Sequence, residues 1–256
     1  MGVKQSRQEI TTYHLSLNTK NCYNPSLRAF NLNQTVKTAI DMVSIEIFSD
    51  VVCPWCLIGK RNLEAAISQL AVEHKAAKDI KINWRSFQLN PQLPLNGISR
   101  AEYTSTKFGG TERAAMFYNR IQQAGQEVGL KLNFDKITTQ PNSAILHALV
   151  YAAEAIQRDH DFVENLFKAF FIDGVDLSNK DNIIALATDI ELDTTTIEAV
   201  LNDGLFMDNI KEDIQQSTRL GIQGVPFFII NQTIGLSGAQ PPAAIAKAIE
   251  PSLQES

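Results

Sequence analysis

The chain has 256 residues, and its formal net charge of -5 argues against a nucleic-acid-binding surface. Hydrophobic residues make up 44% of it, enough for a buried core, but no apolar run approaches the roughly 18–20 residues of a membrane helix. Three cysteines are too few for a disulfide-framed secreted protein, and no apolar signal-like stretch follows the first residues. The composition therefore predicts a cytoplasmic globular protein without nucleic-acid or membrane partners.

The first 41 residues differ from the rest of the chain. They are rich in Asn, Thr, Gln and Ser and show no sustained hydrophobic period. Tyr13, Leu15 and Leu17 alternate, but a short strand there has no evident partner in the sequence. The pattern predicts a disordered N-terminal extension over residues 1–42, in which Cys22 is an incidental thiol.

A cysteine motif lies where the first clear strand, 43–48, meets a helix predicted over 54–74. This motif is Cys53-Pro54-Trp55-Cys56. The first N–H groups of a helix have no intrahelical partner and the helix dipole is positive there, so the thiolate of Cys53 is stabilised. Cys56 follows about one helical turn later, where the two sulfurs can bond. The motif is typical of proteins that form, break or transfer disulfides.

The next elements are a second strand and a long helical block. The second strand, 81–87, completes a strand–helix–strand unit, which predicts a right-handed parallel pair. Residues 97–203 show helical periodicity almost throughout, and Ser99–Glu102 and Thr195–Glu198 match the capping-box pattern of helix starts. This block is predicted to be an all-helical insertion after a first half-domain, 43–96.

The last part of the chain, 204–256, returns to a mixed pattern. It predicts a helix over 206–220, a buried strand that begins at Pro226, a tight turn at Asn231-Gln232, a short antiparallel strand and a final helix. Together with the first half-domain, these elements form a mixed β-sheet with flanking helices. The predicted fold class is therefore α/β, with a sheet interrupted by the helical insertion.

Pro226 begins an apolar strand, although proline cannot donate a hydrogen bond to a sheet. One interpretation is a strand-start proline that fixes the turn after Gly224. The other is a cis Val225-Pro226 bond that presents backbone groups to a partner chain; such bonds make up only about 5–6% of X-Pro bonds in folded proteins. The cysteine motif elsewhere in the chain favours the second interpretation.

Several stretches together resemble the DsbA-like family of thioredoxin-fold oxidoreductases, and in particular its cytoplasmic FrnE-type branch. The likeness covers about residues 43–250. It implies a thioredoxin fold with a helical insertion, a cis-proline loop beside the cysteine pair, Cys53 as the attacking thiolate and Cys56 as the resolving thiol. The stretches that carry it are Phe48-Ser49-Asp50-Val51-Val52-Cys53-Pro54-Trp55-Cys56 with Ile58-Gly59-Lys60, Phe87-Gln88-Leu89-Asn90-Pro91, Pro141-Asn142-Ser143 with His147, and Gly221-Ile222-Gln223-Gly224-Val225-Pro226-Phe227.

One position departs from that family. Thioredoxin and the periplasmic oxidase carry a buried carboxylate six residues before the first cysteine, where this chain has Ile47. Either the proton of Cys56 leaves by another route, through water or Asp50, or exchange is slower. Asp50 and Asn142 are candidate supporting residues, although Asp50 is better explained as a solvated turn residue. His147 is interpreted as a packing or surface residue of a helix, and a role beside the site is the minor alternative.

The predicted mechanism is thiol–disulfide exchange, in which Cys53 forms a mixed disulfide that Cys56 resolves. The predicted substrate-binding residues are Pro54, Trp55, Val225 and Pro226. The Val225 backbone is expected to pair with an extended substrate by β-augmentation, and Trp55 either offers an apolar face or packs under the insertion. Oxidase, reductase and isomerase directions all stay open, with protein or small-molecule thiols and disulfides as partners.

The cysteine motif also has three alternative interpretations. The first is a glutathione-linked isomerase related to 2-hydroxychromene-2-carboxylate isomerase or the kappa-class glutathione transferases, a branch associated with polyketide tailoring; those relatives usually hold serine where Cys53 stands. The second is a zinc site, for which no further ligands occur at a paired spacing. The third is a redox sensor without turnover. No metal or cofactor is therefore predicted, while glutathione stays open as a co-substrate.

Overall fold

The computed structural model describes residues 12–14, 42–74, 77 and 79–254. The strands of its main sheet are β1 Thr12–His14, β2 Ser44–Ser49, β3 Lys81–Ser86, β6 Phe227–Ile230 and β7 Ile234–Ser237. They lie in the order β1-β7-β6-β2-β3. Strands β2 and β3 are parallel, and each other neighbouring pair is antiparallel. The predicted α/β class with a mixed sheet is confirmed.

Helices surround this sheet and fill the predicted insertion. The helices are α1 Pro54–Glu73, α2 Arg100–Phe108, α3 Thr111–Glu127, α4 Ala144–Ala155, α5 Asp159–Lys168, α6 Lys180–Asp189, α7 Thr194–Asp203, α8 Met207–Arg219 and α9 Pro242–Gln254. Two short strands within the insertion, β4 Ile98–Ser99 and β5 Thr139–Gln140, form a two-stranded ribbon that was not predicted. A π-helical turn continues α5 from Ala169 to Asp173. Helix α1 packs against α9, while α8 packs against β3 and α4.

Strand β2 is the central element of the core. Ile45 and Ile47 are buried on one side of it, in the main hydrophobic cluster. Phe48 is fully buried in a second cluster with Ile222 and Phe227. Since successive side chains of a strand point to opposite faces, both faces of β2 are covered. The end of this strand, where the cysteine motif follows, is therefore held on a rigid base.

The prediction that a strand near Tyr13 would lack a partner is wrong. Strand β1 pairs antiparallel with β7, with Thr12 opposite Leu236 and His14 opposite Ile234. The local sequence does not indicate this pairing, because the partner of this three-residue edge strand lies more than 200 positions away in the chain. The rest of the predicted disordered extension up to residue 41, with Cys22, lies outside the described residues. The domain boundaries at 43, 97 and 204 stay predictions.

Of the two predicted capping boxes, only the first caps a helix. Ser99 Oγ accepts a hydrogen bond from the Glu102 N–H at 3.2 Å, at the start of α2. Helix α7 begins one residue before the predicted cap at Thr195, and its cap is Asp193, whose Oδ1 accepts from the Thr196 N–H at 2.9 Å. The Thr195–Glu198 prediction is therefore wrong, because an aspartate two residues earlier supplies the acceptor.

A cluster of charged side chains joins α1 to the helical insertion. Lys60 is almost fully buried, and its Nζ donates to Glu164 of α5 at 2.8 Å and to Glu64. Arg61 Nη1 donates to the same two carboxylates, at 3.0 and 2.9 Å. His160 Nε2 lies 3.4 Å from Glu64. Because a buried ammonium is costly without partners, this cluster fixes how α5 sits on α1, beside the cysteine motif.

The cluster makes folding stability sensitive to acid. Burial alone would raise the pKa of Glu64, but hydrogen bonds from His160 and Lys60 outweigh it and hold the pKa at about 2. The folded state therefore binds fewer protons than the unfolded state, in which the pKa is about 4.3. We expect this part of the stability to be complete above about pH 5 and to be lost as the pH falls toward 2. Urea unfolding from pH 7 to pH 2.5 measures it: the Glu64→Gln variant should show a shallower decline than wild type, and parallel curves would contradict the prediction.

The loop that contains Pro226 rests directly on α1. A Cβ atom added to Gly59 would lie 2.8 Å from Cγ of Pro226 and 3.2 Å from Cζ of Phe228. Contacts under 3 Å force neighbouring atoms to move, so glycine is needed at this position. Gly59 thereby brings the strand start at Pro226 close to the helix that carries both cysteines.

We expect Gly59→Ala to destabilise the protein by about 1–2 kcal/mol because of this contact. Alanine is the better helix former, so helix propensity alone predicts the opposite sign. The measurement is the free energy of unfolding in urea. Gly224→Ala is the matched control, since nothing lies within 4 Å of its added Cβ, and its stability should change by less than about 1 kcal/mol. Equal stability of Gly59→Ala and wild type would show that the loop yields at no cost.

Candidate active site

The cysteine motif is held at the junction of β2 and α1 by backbone hydrogen bonds. Cys53 is the N-cap residue of α1, with extended backbone angles, and its N–H donates to the Asp50 carbonyl at 2.9 Å. Pro54 occupies the first helical position, where its missing N–H costs nothing. The Cys56 N–H donates back to the Cys53 carbonyl at 3.0 Å. The first helical turn therefore places both sulfurs at the positive end of α1.

The two cysteines are free thiols in unlike surroundings. Cys53 lines a cavity at the surface of the motif, and its Sγ donates a weak hydrogen bond to the Val225 carbonyl at 3.7 Å. Both residues are buried, Cys53 at 4% and Cys56 at 2% exposure, and both belong to the main hydrophobic cluster, but Cys56 does not line the cavity. A substrate in the cavity can therefore reach Cys53 first.

The Cys56 thiol is protected against ionisation. Burial is the largest influence and raises the pKa of Cys56 well above its ordinary value, and the neighbouring Cys53 sulfur raises it further. Interactions with the Ser49 hydroxyl and the Asp50 backbone act in the opposite direction, but more weakly. Cys56 is therefore a thiol at neutral pH, and it must lose a proton before it can attack a disulfide.

The Val225-Pro226 peptide bond is cis, in the segment just before β6. Pro226 is buried against α1, while Val225 is half-buried and lines the same cavity as Cys53. The Val225 N–H makes no hydrogen bond to any described residue, and its carbonyl contacts only the Cys53 thiol among them. An unpaired backbone segment thus lies beside the outer sulfur.

Asp50 is fully buried, so its interpretation as a solvated turn residue is wrong. Its Oδ1 accepts from the Val52 N–H at 3.2 Å, and its Oδ2 accepts from the Leu89 N–H at 2.7 Å. The carboxylate therefore ties the turn before Cys53 to the loop that follows β3. A carboxylate beside turn N–H groups is a common stabiliser of loops. Here the insertion helices also cover the loop and bury the carboxylate, and the local sequence does not indicate this burial.

His147 of α4 faces this carboxylate and is also buried, so the packing-or-surface interpretation omits its main contact. Its Nε2 lies 3.6 Å from Asp50 Oδ1 and has no hydrogen-bond partner among the described residues. Trp84 Nε1 and Arg85 Nε share this lack of a partner, and Ser49 Oγ has none apart from the Cys56 thiol. All four residues line one cavity of about 10 Å³, here called the buried polar cavity. This volume suits about one water molecule, for which four polar atoms are sufficient partners.

Asn142, the other candidate supporting residue, organises the loop after β3 rather than the sulfurs. Its Oδ1 accepts from the Ala144 N–H at 2.9 Å, at the start of α4, and from Gln88 Nε2 at 3.1 Å. Its Nδ2 donates to the Leu93 carbonyl at 2.7 Å. Asn142 therefore fixes α4, and with it His147, against the same loop that Asp50 holds.

The cavity in front of Cys53 has a volume of about 250 Å³ and is here called the aromatic cavity. Arg100, Lys107 and Gln140 add polar groups to it. The sequence does not indicate this cavity, because its walls come from separate helices whose aromatic residues follow the ordinary helical period. Those aromatic walls are Tyr103, Phe108, Phe117, Tyr118, Phe134 and Phe171.

Trp55 is half-buried and separates the aromatic cavity from a second, more polar depression. The Trp55 ring also packs against the main hydrophobic cluster, and its part in substrate binding stays a prediction. The second depression, here called the open groove, has a volume of about 560 Å³. Its rim includes Arg120 and Glu127 on one side and the segment 237–240 on the other. Two spaces of different polarity therefore meet at the cysteine motif.

Within the described ranges, no three His, Cys, Asp or Glu side chains are grouped closely enough to hold a metal ion. Among the helices described, none combines the length and apolar character needed to cross a membrane.

Comparisons with known proteins identify the family and the fold of this chain. The model of the DSBA-like thioredoxin domain matches residues 44–250. The uncharacterized protein YwbO of Bacillus subtilis is 26% identical over 208 residues, which are 81% of this chain and 96% of YwbO. A probable DsbA oxidoreductase from Streptomyces coelicolor is 25% identical, with a TM-score of 0.75 over 84% of this chain and 91% of that one.

A further solved structure, the cytosolic disulfide reductase DsbM from Pseudomonas aeruginosa with GSH, shares the fold. It is 18% identical, with a TM-score of 0.59 over 82% of this chain and 99% of that one. The predicted thioredoxin fold is confirmed by these matches, while the FrnE-type branch stays a prediction. Because the family model spans the cysteine motif, the insertion and the Pro226 strand, this chain belongs to the DsbA-like thioredoxin domain family of thiol oxidoreductases.

Proposed function

We propose that the protein is a thiol–disulfide oxidoreductase that works through the Cys53–Cys56 pair by way of a mixed disulfide. The observation that carries this proposal is the unequal placement of the two sulfurs: Cys53 faces the aromatic cavity at the start of α1, and Cys56 lies buried one turn behind it. This arrangement separates an attacking thiol from a resolving one. The two cysteines also argue against the glutathione-linked isomerase alternative, whose relatives usually hold serine at the first position.

In the first step, the Cys53 thiolate attacks one sulfur of a substrate disulfide, and the other sulfur leaves as a thiolate. The N-terminal end of α1 stabilises the attacking anion. The Val225 backbone lies beside this sulfur with a free N–H, so it can pair with an extended substrate as an added strand would. Pro54, Trp55 and Pro226 shape the surroundings of the bond that forms.

In the second step, Cys56 attacks the Cys53 sulfur and must release its proton. No carboxylate precedes the motif at Ile47, so we assign the acceptor to Asp50 and His147, which face each other at 3.6 Å. Ser49 interacts with the Cys56 thiol and lines the buried polar cavity together with His147. A water in that cavity would connect the Ser49 hydroxyl to the imidazole, and the proton would pass along this chain.

We further propose glutathione as the co-substrate that exchanges with the pair, in the reducing cytoplasm that the low cysteine content favours. The open groove next to Trp55 has space for a tripeptide and polar side chains for its charged ends. The direction of the reaction follows from the reduction potential of the pair. A value near about -270 mV is typical of a reductase, and one between about -120 and -180 mV is typical of an oxidant or isomerase.

The proposed roles of the two cysteines are tested by trapping the mixed disulfide. Cys56→Ser should accumulate a stable adduct between Cys53 and a disulfide substrate, because the resolving thiol is missing. Cys53→Ser should form no adduct at the pair and should lose turnover to the background level. Intact-protein mass spectrometry after a short incubation with oxidised glutathione measures both outcomes.

Cys22→Ser is the matched control for these two variants, and it should turn over like wild type. An adduct on Cys56 in the Cys53→Ser variant, or wild-type turnover in either variant, would contradict the proposed roles. Activity on a small aromatic substrate that survives in Cys56→Ser would favour the isomerase alternative.

The proposed proton acceptor is tested by separating the two steps in stopped-flow measurements. His147→Gln should slow the second step by about tenfold or more and leave the first unchanged. The deficit should shrink as the pH rises, because hydroxide can then take the Cys56 proton directly. His74→Gln is the control, since this histidine lies at the opposite end of α1 and contacts Glu250 instead. Equal slowing of both steps, or a deficit that does not change with pH, would point to a purely structural role for His147.

A further inference from the structure

The aromatic cavity carries a positive charge that nothing in the described structure neutralises. Arg100 and Lys107 line it, and no carboxylate does. Neither cation lies within ion-pair distance of an Asp or Glu among the described residues; Lys107 Nζ instead donates to Asn90 Oδ1 at 3.2 Å. An unpaired positive charge in a partly closed apolar site favours an anion as its occupant.

Contacts hold the Arg100 side chain in place but leave some of its hydrogen-bond donors free. Its guanidinium lies 4.9 Å from the centre of the Tyr118 ring and 5.3 Å from that of Tyr103, at cation–π distance. Its Nη1 donates to Gln140 Oε1. A guanidinium has five N–H donors in a planar fork, so donors remain for a ligand. Arginine in such a frame suits the two oxygens of a carboxylate.

Gln140 supplies a second, independent sign of a ligand. Its side chain is 1% exposed, and its Nε2 has no hydrogen-bond partner among the described residues. Because Oε1 accepts from Arg100, the unpaired group of this amide is its N–H donor. A buried donor without a partner costs about 1–3 kcal/mol. An acceptor oxygen in the cavity would relieve that cost and contact Arg100 as well.

The aromatic walls of the cavity favour an apolar group in the rest of the ligand. Phe108 and Phe117 lie with ring centres 4.9 Å apart, and Tyr118 stacks on Phe134 at 4.6 Å. Flat apolar groups pack well against such aromatic walls. The volume of about 250 Å³ suits a small molecule rather than a folded protein. Cys53 lies in the same cavity, so a ligand bound there would present its sulfur to the attacking thiolate.

We propose that the aromatic cavity is a substrate site for low-molecular-weight disulfides that carry a flat apolar group and a carboxylate, with the carboxylate on Arg100 and Gln140. The proposal rests on the proposed function, since it names the substrate class of the same cysteine pair. Cys53 attacks one substrate sulfur, so that one arylthiolate leaves and a mixed disulfide forms. Cys56 then attacks Cys53 and loses its proton, and the second arylthiolate leaves. The protein dithiol is oxidised by two electrons, and the substrate disulfide is reduced to two thiolates.

The test compares two aryl disulfides of similar size and different charge. 5,5′-Dithiobis(2-nitrobenzoate) carries two carboxylates, whereas 4,4′-dithiodipyridine is neutral. Stopped-flow absorbance measures the release of the first arylthiolate from reduced protein, and each rate is divided by the rate of the same reagent with free cysteine. Wild type should prefer the anionic reagent in this normalised ratio, although its net charge of -5 would repel it.

Arg100→Gln should lower the rate with the anionic reagent by about tenfold, the value of a lost charge-assisted hydrogen bond. The rate with the neutral reagent should stay within about twofold. Arg100→Lys, which keeps the charge, should retain part of the preference. Arg219→Gln is the charge-matched control, because Arg219 is exposed on the last turn of α8 and lines none of the cavities described.

The outcomes separate this proposal from the proposed function. If neither reagent oxidises the Cys53–Cys56 pair of wild type, the proposed function fails. If both reagents oxidise it with the same normalised rate, or if Arg100→Gln slows both equally, the function stands and the anion site is overturned. A preference that is the same in Arg100→Gln and Arg219→Gln would likewise overturn it.

Discussion

The active-site region depends on one buried carboxylate. The side chain of Asp50 accepts hydrogen bonds from the turn before Cys53 and from Leu89 after β3, and its own carbonyl accepts from the Cys53 N–H. It thereby fixes the start of α1 relative to two parallel strands. The same carboxylate faces His147, so the helical insertion is tied to the turn as well. A carboxylate at zero exposure would be costly alone, and these N–H donors stabilise it.

The two sulfurs differ in what surrounds them, although both residues are buried. Cys53 caps the helix and lines the aromatic cavity beside the Val225 carbonyl, whereas Cys56 interacts with the Ser49 hydroxyl and does not line that cavity. Burial raises the pKa of the Cys56 thiol. A more accessible second thiol would ionise more readily and would also exchange with bulk thiols. In the proposed mechanism, this difference sets the order of the two steps.

The elements that follow from local patterns were predictable, and those that depend on distant partners were not. The β2–α1 junction and the tight turn at Asn231-Gln232 are determined by residues that are neighbours in the chain. The burial of Asp50 was missed, because it is imposed by a loop and a helix 40 to 100 positions away. Arg100 and Gln140 meet across the β4–β5 ribbon, which is too short to leave a periodic signal.

In the proposed mechanism, the insertion is part of the reaction site and not an appendage to it. Helix α4 brings His147 against Asp50, in the turn before Cys53. Helices α2 and α3 bring cations and aromatic rings to the cavity that Cys53 lines. The same inserted segment would thus act on both the proton that leaves Cys56 and the substrate that meets Cys53. A change in its packing, for example at the charged cluster between α1 and α5, would affect both sides of the cysteine pair at once.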